Sequence, residues 1–190
     1  MIVLATPDAR MQRSYLAAHD EFVAAGEGHR DGDGVWVEEP DDGFPGVAFT
    51  REELETAEGF ERFAARRRDQ AREDAPRPTG HVPCTFFWVV DDADPDTYLG
   101  SLSVRHRLTP FLLEVGGHIG YSVRPSARRR GIATRALRLA LPRAAGLGID
   151  PVLVTCDDDN VGSARVIEAN GGVLEDVRDG KRRYWVPAGP

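Results

Sequence analysis

Between Gly116 and Ala133, read GGHIGYSVRPSARRRGIA, the hydrophobic period of the chain changes from two to nearly four within a few residues. Ile119, Tyr121 and Val123 alternate with His118, Gly120 and Ser122, the pattern of a strand from His118 to Val123. Pro125 has no amide to give a ladder and ends it. From Ala133 to Leu147, the residues Ala133, Leu137, Ala140, Ala144 and Leu147 fall on one helical stripe. A strand that passes through an Arg/Gly turn into a helix makes loop amides and a helix N-terminus converge on one point. Such a point favours an anion, a phosphate above all.

Charge narrows the reading. The 190-residue chain has a formal charge of −7, yet no Asp or Glu occurs between Val115 and Ile149, where Arg124, Arg128, Arg129, Arg130, Arg135, Arg138 and Arg143 stand. One basic segment around a glycine in an acidic chain suits a particular polyanion, not a coat of nucleic acid. Arg128 to Ala133 are read as the phosphate site, and Arg135, Arg138 and Arg143 as a solvated helix face.

Arg128-Arg129-Arg130-Gly131-Ile132-Ala133 resembles the R/Q-x-x-G-x-G/A signature of the GNAT superfamily of N-acetyltransferases, which hold the pyrophosphate of coenzyme A on this loop. Tyr121 to Pro125 is similar to that family's central strand and its exit. A second element, Val152 to Gly172, resembles its next strand and N-x-x-S/A helix, with Asn160, Ser163 and Ile167 on one helix face. The resemblance implies acetyl-CoA as cofactor, bound through Ser122, Val123, Arg128, Arg129, Arg130, Gly131, Ile132, Ala133, Thr134, Asn160 and Ser163. It implies direct attack of a primary amine on the acetyl thioester in a ternary complex. A backbone amide near Ser122 or Val123 would stabilise the oxyanion.

Two departures stand out. Ile167 occupies a position where many relatives have a proton-donating tyrosine, and Gly171-Gly172 replaces Gly-Phe. A thiol with a pKa near 8.5 leaves tolerably without a dedicated acid. An alkyl amine with a pKa near 10 must first lose a proton, and Glu114, His118 or an ordered water near them are the candidate bases. Tyr121 and Tyr184 are candidate acids that also read as core, and Cys156 reads as a buried strand cysteine.

The remaining order is that of a mixed α/β fold with a largely antiparallel sheet flanked by helices, similar to the acyl-CoA N-acyltransferase fold of this superfamily. Ile2 to Leu4 reads as an edge strand, Asp8 to Ala25 as an amphipathic helix, and Gly26 to Gly46 as a long loop or set of turns. Thr50 and Glu53 form a capping box for one helix running to about Asp74. Val82 to Val90 and Tyr98 to Arg107 are strands joined by Asp91 to Asp96, and Thr109 to Glu114 is an apolar link. Pro142 predicts a kink or early break in the helix after Ala133. Pro151 to Cys156 is a strand, Val161 to Asn170 a helix, and Val173 to Val177 and Arg183 to Val186 a hairpin across Asp179-Gly180.

Length and 41% hydrophobic content suit one domain over residues 1–190, with acceptor-side helices and loop to about 80 and the cofactor core from about 81. There is no leader, no apolar run for a membrane span and no metal-ligand spacing among the histidines and cysteines, so a cytoplasmic, metal-free protein is expected. Asp31, Asp33, Glu38, Glu39, Asp41 and Asp42 either favour a cationic small-molecule amine or basic peptide as acceptor, or are a solvated loop. A homodimer stays open. So does the alternative to an enzyme, a non-catalytic acyl-CoA-binding sensor of the same fold.

Overall fold

The computed structural model describes residues 1–28 and 36–189. In chain order these form β1 (Ile2–Ala5), α1 (Gln12–Ala24), β2 (Val37–Glu38), β3 (Val47–Ala48), α2 (Arg51–Leu54), α3 (Ala57–Asp69), β4 (Cys84–Asp91) and β5 (Gly100–Arg105). Then come β6 (Ile119–Val123), α4 (Ile132–Gly146), β7 (Val152–Asp157), α5 (Val161–Glu168), β8 (Val173–Arg178) and β9 (Lys181–Val186). Seven strands make one mixed sheet in the order β1-β4-β5-β6-β7-β9-β8, antiparallel throughout except for β6 and β7. β2 and β3 form a separate hairpin.

Alternation along the strands sorts two cores, one on each face. Val89, Leu102, Val104, Ile119 and Val154 point to the face covered by Leu137, Ala140 and Ala144 of α4 and Ile167 of α5. Trp88, Val90 and Tyr98 point to the other, against Tyr15 of α1 and Phe60 and Phe63 of α3. There the Tyr15 ring centroid sits 5.3 Å from that of Trp88 and 5.0 Å from that of Tyr98. Offset and edge-on packing of this kind adds to the area each ring buries.

Several boundaries differ from the sequence expectation, each for a local reason. The expected helix from Thr50 is two, because Thr56 caps a second start: its hydroxyl accepts from the Gly59 amide (3.0 Å) and donates to the Glu53 carbonyl (2.7 Å). A Cβ on Gly59 would stand 2.1 Å from that same carbonyl oxygen, so the close turn needs glycine. The described part of the Gly26–Gly46 loop contains β2, whose Glu38 pairs with Val47 of β3. The Thr109–Glu114 link becomes a wide π-type turn over Leu112–Gly116. α4 runs unbroken through Pro142, because the ring lies on its exposed face. The Asp179-Gly180 turn has φ of 46° and 74°, the doubly left-handed hairpin its residue types suit.

Candidate functional site

β6 and β7 meet through one register pair, Ile119 with Val154. Next to it the His118 amide donates to the Leu153 carbonyl (2.7 Å), and the Leu153 amide donates to Nδ1 of His118 (2.9 Å). Gly117, at φ 61°, lets the chains come this close, since a Cβ there would lie 2.6 Å from the Leu153 oxygen. Past that pin the two strands part. On the other side of β6 the Arg124 amide donates to the Leu99 carbonyl (2.9 Å), and Ser122 lies opposite Ser101. Antiparallel ladders use alternate residues. Ser122 therefore turns its main-chain groups to β5, and Tyr121 and Val123 turn theirs into the gap. The Val123 carbonyl already accepts from Nε of Arg128 (3.0 Å), which leaves its N–H.

The loop beyond β6 ends on Gly131 at φ 72°, the residue before α4, with Arg129 also left-handed at φ 65°. The first α4 amide to donate within the protein is that of Arg135, to the Gly131 carbonyl (3.1 Å). Among the described residues the N–H groups of Arg129, Arg130, Gly131, Ile132, Ala133 and Thr134 have no acceptor. Nothing lies within 4 Å of a Cβ built on Gly131. Six unpaired amides, a helix dipole and open space form an anion cradle.

Arg124 is held by α1 and Arg128 by the turn that follows it. Arg128 makes a two-pronged pair with Glu27 (2.8 and 2.8 Å) and lies over the Phe22 ring, so its guanidinium braces the loop. Arg129 and Arg130 are exposed and have no carboxylate partner among the described residues. Glu21 accepts from Arg124 (2.5 Å), the Ser126 amide (3.0 Å) and the Ser126 hydroxyl (2.9 Å). Burial alone would raise the Glu21 pKa, but those donors outweigh it and bring it to about 2. No sequence signal pointed to Glu21 or Glu27, more than 100 residues from their partners. A native pKa below the unfolded one contributes stability above about pH 4.5 that is lost as pH falls through about 2. Glu21→Gln is expected to lower stability at pH 7 by about 1–2 kcal/mol, allowing for solvent screening. The gap from wild type should close in urea titrations carried down to pH 2.

α5 faces the gap from the β7 side. Asn160 is its N-cap, accepting the Ser163 amide (3.0 Å). The Ser163 hydroxyl meets the Tyr121 hydroxyl at 2.7 Å, one contact spanning the opening. Burial pushes the Tyr121 pKa up, outweighing the Ser163 hydrogen bond that opposes it, so the phenol stays protonated. Burial likewise pushes the neighbouring Cys156 thiol up, the behaviour of an inert core cysteine. Ile167 is fully buried. A Cβ on Gly172 would come within 2.5 Å of its Cγ2, which explains a second glycine where relatives have an aromatic.

The expected bases have other partners. His118 accepts on Nδ1, which leaves its single proton on Nε2. Burial first, then the Arg105 charge, lowers its pKa to about 4. A neutral imidazole with its lone pair engaged is a strand pin, not a base. Glu114 pairs with Arg178 (3.2 Å) at the Leu112–Gly116 turn. Of the acidic residues set at the acceptor side, Glu38 is buried against Arg66 (2.7 Å), and Asp41 accepts from the Asp42 and Thr79 amides (2.7 and 2.7 Å). Asp31 and Asp33 lie outside the described residues.

Comparison with known proteins supports the fold. No curated protein matches the chain. Among solved structures, a probable acetyltransferase superposes with a TM-score of 0.61 at 18% identity, over 98% of this chain and 92% of its own. The microcin C7 self-immunity acetyltransferase MccE, solved with acetyl-CoA and AMP, gives 0.57 at 14%, over 98% and 92%. The ribosomal-protein-S5-alanine acetyltransferase of Vibrio fischeri gives 0.54 at 19%, over 97% and 90%. A profile of the acetyltransferase (GNAT) domain matches residues 36–173. With that match spanning the parted strands, the amide cradle and the helix behind them, the chain belongs to the GNAT acetyltransferase family.

Proposed function

We propose that this protein moves an acetyl group from acetyl-CoA to a primary amine, both held at once across the opening between β6 and β7. The observation that carries this is the continuity of free donors from the gap-facing side of β6 to the uncapped start of α4. Acetyl-CoA fits that run: its diphosphate would lie on the amides of residues 129–134, flanked by Arg129 and Arg130. Its pantetheine arm would lie beside Tyr121, Val123, Asn160 and Ser163. When bound, it supplies an activated acyl group. Val123 N–H would then stabilise negative charge on the carbonyl oxygen, and Ser122 would contribute through its side chain on the opposite face. Residues to about 80 form the acceptor side of a single domain, and residues from about 81 the cofactor core. Among the described residues no helix is long and apolar enough to cross a membrane.

The Tyr121 hydroxyl, paired with Ser163, is a proton donor beside the gap, and Ile167 supplies none. Tyr121→Phe is expected to lower kcat about tenfold while CoA affinity stays within about twofold. Stopped assays with a thiol reagent, beside calorimetry, check this. The function itself is tested by titrating CoA and acetyl-CoA calorimetrically, then assaying an amine panel for thiol release and product mass. Because His118 and Glu114 are both engaged, a sensor that binds acyl-CoA without turnover is the second reading. Binding without thiol release, across that panel, would favour it.

A further inference from the structure

Building on the acetyl-transfer reading, we propose that Arg105 is the specificity-determining residue of the acceptor side, and that it selects an amine carrying its own anionic group, a carboxylate or a phosphate. Ser101, Ser103 and Arg105 alternate with the core residues Leu102 and Val104, so their side chains lie on the opposite face of β5, the face of Trp88. Across the ladder stand Gly120, opposite Ser103, and Ser122, opposite Ser101. Gly120 leaves the floor open. A Cβ there would come within 3.4 Å of the Ser103 hydroxyl and 3.6 Å of both Nη1 and Nη2 of Arg105. The Ser101 and Ser122 hydroxyls are 3.4 Å apart beside it.

Nη1 of Arg105 donates to the carbonyls of Gly116 (2.8 Å) and Gly117 (3.2 Å). Nη2 and Nε have no acceptor among the described residues, and no described carboxylate lies within ion-pair distance. Exposed arginines such as Arg129 and Arg130 also lack one, but the more buried Arg66, Arg124 and Arg183 each have a carboxylate partner. A guanidinium fixed by two carbonyls, with its remaining fork open onto a glycine floor, is preorganised for a planar or tetrahedral anion. Gly120 is two strand positions, about 7 Å, from Ser122. An anion on Arg105 and an amine at the gap therefore belong to one small molecule or one short peptide end. An amine that is largely free at neutral pH needs no carboxylate base there. The α-amine of a peptide end, with a pKa near 8, meets that condition far more easily than a lysine side chain near 10.4. A polyamine or a strongly basic peptide does not.

The test uses acceptors paired by the presence or absence of the anion, with rates compared per free amine across a pH series: alanine against alaninamide, and phosphoethanolamine against ethanolamine, with spermidine as the cationic arm. Thiol release gives kcat/KM for each, and calorimetry follows CoA affinity in every variant. The charged member of at least one pair is expected to react at least tenfold better. The pair that shows it separates carboxylate from phosphate. Arg105→Gln should bring the ratio to about one with CoA affinity kept, and Arg105→Lys should restore part of it. Equal rates within both pairs, no turnover of either anionic acceptor, a preference for spermidine, or an unchanged ratio in the Gln variant each overturns the proposal. Loss of CoA binding by the wild-type chain would instead overturn the cofactor reading beneath it.

Discussion

Valine at position 131 is expected to raise the CoA dissociation constant by about fiftyfold, an effect of about 2 kcal/mol. Gly131 sits at φ 72°, where a β-branched side chain is strained, with open space around its missing Cβ. The fold could relieve that strain by rotating the residue to negative φ. The amides of Arg130, Gly131 and Ile132 would then no longer converge, and a diphosphate would lose donors that cost nothing to arrange in the native loop. If the strain is kept instead, the new side chain fills open space at the loop, where the anion is proposed to lie. Both routes weaken binding, by similar amounts. Alanine at the same place keeps the first penalty and reduces the second, so a smaller loss is expected. Calorimetric titration of CoA into both variants separates the two contributions. Full affinity in the valine protein would mean that the phosphates lie elsewhere.

His118→Leu is expected to cost about 3 kcal/mol of stability at pH 7, because the Leu153 amide loses its only described acceptor in a buried site. The pin at the closed end of the gap goes with it, so β6 and β7 would separate further and cofactor affinity should fall as well. The pH dependence identifies the cause. In the wild type the native imidazole titrates at about 4, below the unfolded value near 6.5. The unfolded chain therefore binds the extra proton first. The histidine's contribution is complete above about pH 6.5 and is lost as pH falls toward 4, roughly 3 kcal/mol over that window. The leucine protein should lack this slope. Urea midpoints from pH 4 to 8 would show it, and parallel curves for the two proteins would count against a neutral buried His118.

Much of the molecule could be read from residue order. The alternation of Ile119, Tyr121 and Val123, the stop at Pro125 and the stripe through Leu137, Ala140 and Ala144 are local patterns, and β6 and α4 follow them nearly to the residue. The turn into α4 was legible because its last left-handed residue is a glycine, Gly131. The cap at Asn160 and the Asp179-Gly180 turn were equally local. The double helix start at Thr56 was not legible in the capping pattern alone. It depends on Gly59 approaching the Glu53 carbonyl, and no pattern of side-chain types encodes that distance.

Side-chain roles behaved differently, since they depend on which distant residue arrives alongside. Arg128 reads as a phosphate ligand in isolation, yet Glu27, in the turn after α1, pairs with it. His118 reads as a base until Leu153 of β7 meets its ring, and Glu114 until Arg178 of β8 does. Arg105 drew no attention in the sequence, because an arginine at a strand end is ordinary. What sets it apart is a half-buried guanidinium fixed by the Gly116 and Gly117 carbonyls over Gly120, and only the packed molecule determines that. By itself, then, the sequence determined where the chain extends, turns and coils, and where its amides would gather, because those are set by torsions and short-range sterics. Tertiary structure alone decided which charges are spent inside the protein and which remain for a ligand, because pairing is a matter of distance in space.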